Sequence, residues 1–97
     1  MKFHKKVYEL CRKIPKGKVS TYKLVAEALN SKAYRLVGQA LNKNPYAPEV
    51  PCHRVITSNG NLGGFASGIK NKIKLLRQEG IEIKNNKINL KKFLFKF

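Results

Sequence analysis

Apolar residues recur at helical spacing through much of this chain, and the stretch where that spacing fails carries its chemistry. Phe3, Val7, Leu10, Cys11 and Ile14 share one helical face, which the turn residues Pro15-Lys16-Gly17-Lys18 end. Ser20 or Thr21 can cap a second helix running to about Leu29, with Leu24, Val25, Ala28 and Leu29 as its inner stripe. Asn30-Ser31 breaks it. A third helix, about Lys32 to Asn42, turns Ala33, Leu36, Val37, Ala40 and Leu41 inward and Lys32, Arg35, Gln39 and Asn42 outward. Two short helices across a tight turn, the second with a basic polar face, predict a helix-turn-helix. Gly38 inside that helix costs about 1 kcal/mol relative to Ala. It implies either close approach of a sugar-phosphate chain or tight helix–helix packing.

The period is then lost. Asn44-Pro45-Tyr46-Ala47-Pro48-Glu49-Val50-Pro51 cannot be a helix interior, because proline fixes φ and lacks an N–H. It reads as a rigid extended lead-in that delivers Cys52 and His53 to a short strand, Val55-Ile56-Thr57. Asn59-Gly60 is a hairpin turn with Asn61-Leu62 returning, and 63–68 is a glycine-rich loop. A fourth helix, about Ile69 to Glu79, turns Ile69, Ile73 and Leu76 inward and has Gly80 as its C′ residue. Ile81-Glu82-Ile83 and Ile88-Asn89-Leu90 form a second hairpin around Asn85-Asn86. Lys91 to Phe97 alternates lysine with Phe and Leu, as a docking strand, a basic tail or a surface-association segment. The fold class is mainly α with small β hairpins, a winged-helix-like helix-turn-helix in one domain, residues 1–97, with 1–2 and 91–97 as tails.

Charge narrows the partners. Lys plus Arg number 21 against five acidic residues, for a net charge of +16 and a pI near 10.2. Self-repulsion of that size points to a polyanion, nucleic acid ahead of an anionic membrane surface. No run reaches the roughly 18 apolar residues of a membrane span. No signal peptide is evident, and two cysteines in such different settings do not suggest a disulfide framework, so a reducing, intracellular home is expected, cytoplasmic, or nuclear in a eukaryote. Cys11, Cys52, His4 and His53 lack any recognised zinc spacing, so no metal is expected.

Cys11 belongs to a core face. Cys52, rigidly presented beside an imidazole, is a candidate nucleophile. A free thiol titrates near pH 8.5 and needs help to ionise. Adjacent residues of an extended chain point to opposite faces, so a direct Cys52–His53 bond is not implied. A water could bridge them, with a carboxylate orienting His53. The chain has no Asp, and Glu79 sits in a last helical turn where the dipole disfavours an anion, so Glu79 is the choice. Arg54 has no evident acidic partner.

Pro51-Cys52-His53-Arg54-Val55, with Asn44-Pro45 upstream and Gly63-Gly64-Phe65 downstream, resembles the active-site segment of the O6-alkylguanine-DNA alkyltransferases. The resemblance runs from about Val7 to Gly80. It implies single-turnover transfer of an alkyl group from O6 of guanine in duplex DNA to Cys52, through a relay of Cys52, a water, His53 and Glu79, without a cofactor. It further implies that Asn44 braces the active-site turn and that Tyr22 helps rotate the damaged nucleotide and protonate the leaving guanine. Arg35 would fill the vacated stack in the minor groove, with Gly38 and Ser58 near the DNA backbone. Leu41 and Val55 would line the base pocket. Phe65 stands where many relatives have tyrosine and Ala66 where some have serine, which bears on the alkyl groups accepted. The family's usual N-terminal domain has no counterpart here, so the chain resembles the catalytic domain alone. A monomer is expected. Two alternatives are a non-catalytic alkyltransferase-like damage-binding protein, in which the cysteine is commonly replaced by tryptophan, and a plain winged-helix DNA-binding module with Cys52 merely buried.

Overall fold

The computed structural model describes residues 2–46, 49–63 and 68–97. Among these, helices α1 (Phe3–Cys11), α2 (Tyr22–Ala28), α3 (Tyr34–Asn42), α4 (Ile69–Gln78) and α5 (Leu90–Phe93) surround one two-stranded sheet. Its strands, β1 (Ser20–Thr21) and β2 (Val55–Ile56), run parallel, with Ser20 opposite Val55 and Thr21 opposite Ile56. The fold is mainly helical, and α2 and α3 form the helix-turn-helix expected from their pattern.

The sheet separates two apolar cores. The first packs Val7, Tyr8, Cys11 and Ile14 of α1 and its exit against Val25, Ala26, Val37, Ala40 and Leu41 of the helix-turn-helix, with Val50, Cys52 and Val55. The second gathers Val19, Ile56, Leu62, Leu76, Ile81, Ile83, Ile88 and Phe93. α2 starts where the Thr21 side chain accepts a hydrogen bond from Leu24 N at 3.1 Å, an N-cap. The end of α3 is satisfied from another helix: the Tyr8 hydroxyl donates to the Ala40 carbonyl at 2.7 Å, while Asn44 N turns to Leu41 O. Tyr8 is buried although it lies off the predicted stripe of the first helix.

Three expectations change. β2 pairs with β1 and not with a returning hairpin arm. Thr57 and Asn61 do close a tight turn around Asn59-Gly60, but the returning chain is taken by the second turn. Ile88 N donates to Gly60 O at 2.9 Å and Leu62 N to Asn86 O at 3.3 Å. Asn85 and Asn86, with φ of 52° and 59°, make the left-handed pair that a two-residue hairpin turn needs, yet its bridging is limited to Lys84 and Lys87. Gly60, at φ 90°, could not become Ala here: a Cβ would stand 2.8 Å from the Ile88 carbonyl oxygen. Leu36, Ile69 and Ala28 are not inward: Leu36 is 45% exposed beside Tyr34 at 41%, both on α3, Ile69 at the start of α4 is 40% exposed, and Ala28 at the end of α2 is exposed. Finally, 91–97 is no loose tail. Val19 N donates to Phe93 O at 2.9 Å and Phe95 N to Val19 O at 2.7 Å, so the segment docks along the chain that enters β1.

Candidate active site

The proline-rich lead-in ends in a braced turn. Val50 O accepts Asn44 Nδ2 at 3.0 Å and Cys52 N at 2.8 Å, and Asn44 Oδ1 accepts Tyr46 N at 2.8 Å. Pro51, at φ −80° and ψ 68°, is the centre of an inverse γ-turn. Cys52–Arg54 then form one 3-10 turn rather than extended chain, with Arg54 N on Pro51 O. At three residues per turn, neighbouring side chains diverge by about 120°. No Cys52–His53 hydrogen bond forms among the described residues. Cys52 is 7% exposed, in the wall of the first core.

His53 is buried, and its Nε2 lies 3.0 Å from Glu79 Oε2. A carboxylate only accepts, so the proton of the neutral ring sits on Nε2 and Nδ1 keeps its lone pair. Glu79 follows α4 as its C-cap residue. Its place against the helix dipole is compensated by Arg54, and Glu79 is thereby the acidic partner that the sequence left unassigned to that arginine. Arg54 Nε donates to Oε1 at 2.8 Å and Nη2 to Oε2 at 2.6 Å, while Nη1 donates to the Ile14 carbonyl at 2.8 Å. Burial pushes the Glu79 carboxyl up, but the Arg54 and His53 hydrogen bonds outweigh it and hold it below the usual range. Burial pushes His53 down. The Glu79 bond and charge oppose this, Arg54 and Lys72 add to it, and the imidazole ends below its ordinary value.

Lys72 is the residue that periodicity missed. It lies within the stripe Ile69, Lys72, Ile73, Leu76, the one charge on an apolar face, and that is the signal that could have found it. The side chain is fully buried and Nζ donates to the carbonyls of Val55, at 2.8 Å, and Leu62. Burial pushes its pKa down to about 8, and a negative charge at Cys52 raises it. Nζ is also 6.0 Å from the centre of the Tyr22 ring. Burial, then Cys52 and Cys11, raise the Tyr22 pKa. Cys52 therefore shares its surroundings with Tyr22 at the start of α2 and Lys72 on α4. Cys11, pushed up to about 12 chiefly by burial, is a core thiol.

Of the remaining candidates, Leu41 and Val55 are buried in the same core as Cys52. Arg35 and Ser58 are exposed, on α3 and on the turn after β2. A Cβ on Gly38 would meet nothing within 4 Å among the described residues, so helix–helix packing among them does not account for this glycine. Phe65 and Ala66 lie outside the described residues.

Residues 2–81 match the family model for the DNA-binding domain of 6-O-methylguanine DNA methyltransferase. The methylated-DNA–protein-cysteine methyltransferase of Sulfolobus acidocaldarius is 49% identical over 81 residues, 84% of this chain and 51% of that protein. The chain thus spans about half the length of such curated relatives. Among solved structures, the Mycobacterium tuberculosis OGT in complex with DNA superposes with a TM-score of 0.78 at 39% identity, covering 81% of this chain and 50% of that one. S. pombe Atl1, in complex with damaged DNA containing O6-carboxymethylguanine, superposes with a TM-score of 0.88 at 35% identity, covering 98% and 95%. Shared sequence across most of its length and a shared fold place this chain in the 6-O-methylguanine DNA methyltransferase family.

Proposed function

We propose that residues 1–97 form one catalytic and DNA-binding unit that repairs duplex DNA by moving an alkyl group from O6 of guanine to Cys52. The observation that carries this reading is the Asn44-braced turn, which delivers Cys52 beside a His53–Glu79–Arg54 array. The Cys52 proton passes through one water to Nδ1 of His53, whose Nε2–H is held by Glu79. The thiolate attacks the alkyl carbon, a carbon–sulfur bond forms, and the carbon–O6 bond breaks with its electron pair going to the purine. The Tyr22 hydroxyl supplies the proton that restores neutral guanine. Lys72, held on the Val55 and Leu62 carbonyls, keeps a buried amine in the same surroundings as Cys52. The thioether has no easy route back, so each molecule acts once.

The target atom lies inside the duplex, so the nucleotide must be extruded at an unstacking cost of a few kcal/mol. Arg35, exposed on α3, offsets part of that by entering the vacated stack. Leu41 and Val55, with Phe65 and Ala66, receive the base, and Ser58 and Gly38 meet the backbone. The unit acts as a monomer inside the cell.

Incubation with a duplex containing O6-methylguanine should add one methyl mass to the peptide holding Cys52, with stoichiometry near one. Prolonged incubation that leaves Cys52 unmodified removes the transfer reading. A second reading, lesion binding without transfer, is favoured by the likeness to Atl1, whose structure holds damaged DNA. The two separate in the same experiment: the lesion duplex is retained in both, but only transfer changes the protein mass.

Gly38 gives an independent test of the DNA face. Gly38→Ala should stabilise the free protein by up to about 1 kcal/mol, because a Cβ there touches nothing and Ala favours helix. The same methyl group should weaken duplex binding several-fold. Urea unfolding alongside fluorescence anisotropy reads both; unchanged binding removes Gly38 from the backbone contact.

A further inference from the structure

We propose that Arg54 is a positioning residue of the Cys52 relay, which holds Glu79 on His53 Nε2 with a guanidinium fork and shares the carboxylate's charge with it. The inference rests on the repair reading for its purpose, but its geometry stands alone. Arg54 lies next to His53 in one 3-10 turn, and its guanidinium makes three hydrogen bonds. Two go to the two oxygens of Glu79, and the third goes to the Ile14 carbonyl just beyond α1. The last contact fixes the fork relative to the first core, so Glu79 is located from two sides although it stands at a helix end. The Glu79 carboxylate is half-buried, where an unpaired anion is costly, so removing the fork should alter both its place and its charge.

The chemical consequence concerns proton acceptance. The charged groups that face His53 are Glu79 after α4, Lys72 on α4 and Arg54 on its own turn. With Glu79 alone, the ring would be drawn towards the cation. Arg54 takes up part of the carboxylate's charge, so the ring rests neutral while Glu79 still orients it and stabilises the cation formed after the Cys52 proton arrives. A lysine would restore charge but not the planar two-oxygen grip.

Arg54→Gln tests this directly. The glutamine amide nitrogen occupies the place of arginine Nε, so the Oε1 contact can persist while the charge, the Oε2 contact and the Ile14 contact are lost. NMR titration of the His53 ring in the whole protein without DNA should show its midpoint rising. The acid limb of the transfer rate should move up in pH with it, and the rate near neutral pH should fall by about tenfold. Arg54→Lys should lie between Arg54→Gln and the unmodified protein in both readouts. A folded Arg54→Gln whose titration and pH profile superimpose on the unmodified protein overturns the assignment. If that variant does not fold, Arg54→Lys decides alone, a raised midpoint supporting the assignment and an unchanged one overturning it. If the unmodified protein transfers no alkyl group yet the His53 midpoint still rises in Arg54→Gln, the repair reading falls and the role of Arg54 stands.

Discussion

Cys52→Ser should lose alkyl transfer, with the rate falling on the order of 10⁴-fold or more, while duplex binding stays within a few-fold. The substitution exchanges sulfur for oxygen in a side chain that is nearly covered, at the head of a turn braced by backbone atoms and by the side chains of Asn44, His53 and Arg54. The fold should therefore persist, with a stability change of about 1 kcal/mol. A serine hydroxyl is far less acidic than a thiol, and the proposed relay through His53, Glu79 and Arg54 accepts one proton from a thiol rather than ionising an alcohol. Mass spectrometry after incubation with O6-methylguanine DNA measures transfer, and anisotropy on the same duplex measures binding. Residual transfer would move the nucleophile elsewhere. Loss of binding together with transfer would show that the sulfur holds up the DNA face.

Helix positions were legible because one face of each helix meets a core, and burial imposes the 3.6-residue period that Val7, Cys11, Val37 and Leu76 display. Pairings were not. β1 and β2 have two residues each, too few for an alternating pattern, and their parallel register is fixed by what packs above and below them. The Asn59-Gly60 and Asn85-Asn86 turns carry their own local signals, yet each returning arm bonds to the other turn, a long-range choice that no dipeptide encodes. Leu36 was assigned inward because it falls on the right arc, but α3 turns that edge away from α1 and α2. In the candidate site, the pairing of His53 with Glu79 was legible from residue type and position. Arg54 and Lys72 were not, because a cation reads as surface until its acceptors are known. Here the acceptors are a carboxylate 25 positions away and two carbonyls, from Val55 and Leu62, that local sequence cannot bring near.

Binding to undamaged duplex should weaken on the order of 10²–10³-fold between 50 and 200 mM salt, as expected for about five phosphate contacts. The physical basis is the imbalance of 21 basic and five acidic side chains. Two of those acids are already engaged, Glu79 by Arg54 and Glu82 by Lys92, so little internal negative charge competes with phosphate. Lys32 and Arg35 flank the exposed start of α3, and a distinction between them tests how the duplex is held. Lys32→Gln should lower the slope of log affinity against log salt by about one while leaving transfer at saturating DNA unchanged. Arg35→Ala should slow transfer on duplex substrate but not on single-stranded O6-methylguanine DNA, where no partner base or intact stack resists extrusion. An equal loss on both substrates would make Arg35 an ordinary phosphate contact. A salt response flat across this range would mean that the positive surface does not meet the DNA backbone, and the helix-turn-helix would lose its proposed ligand.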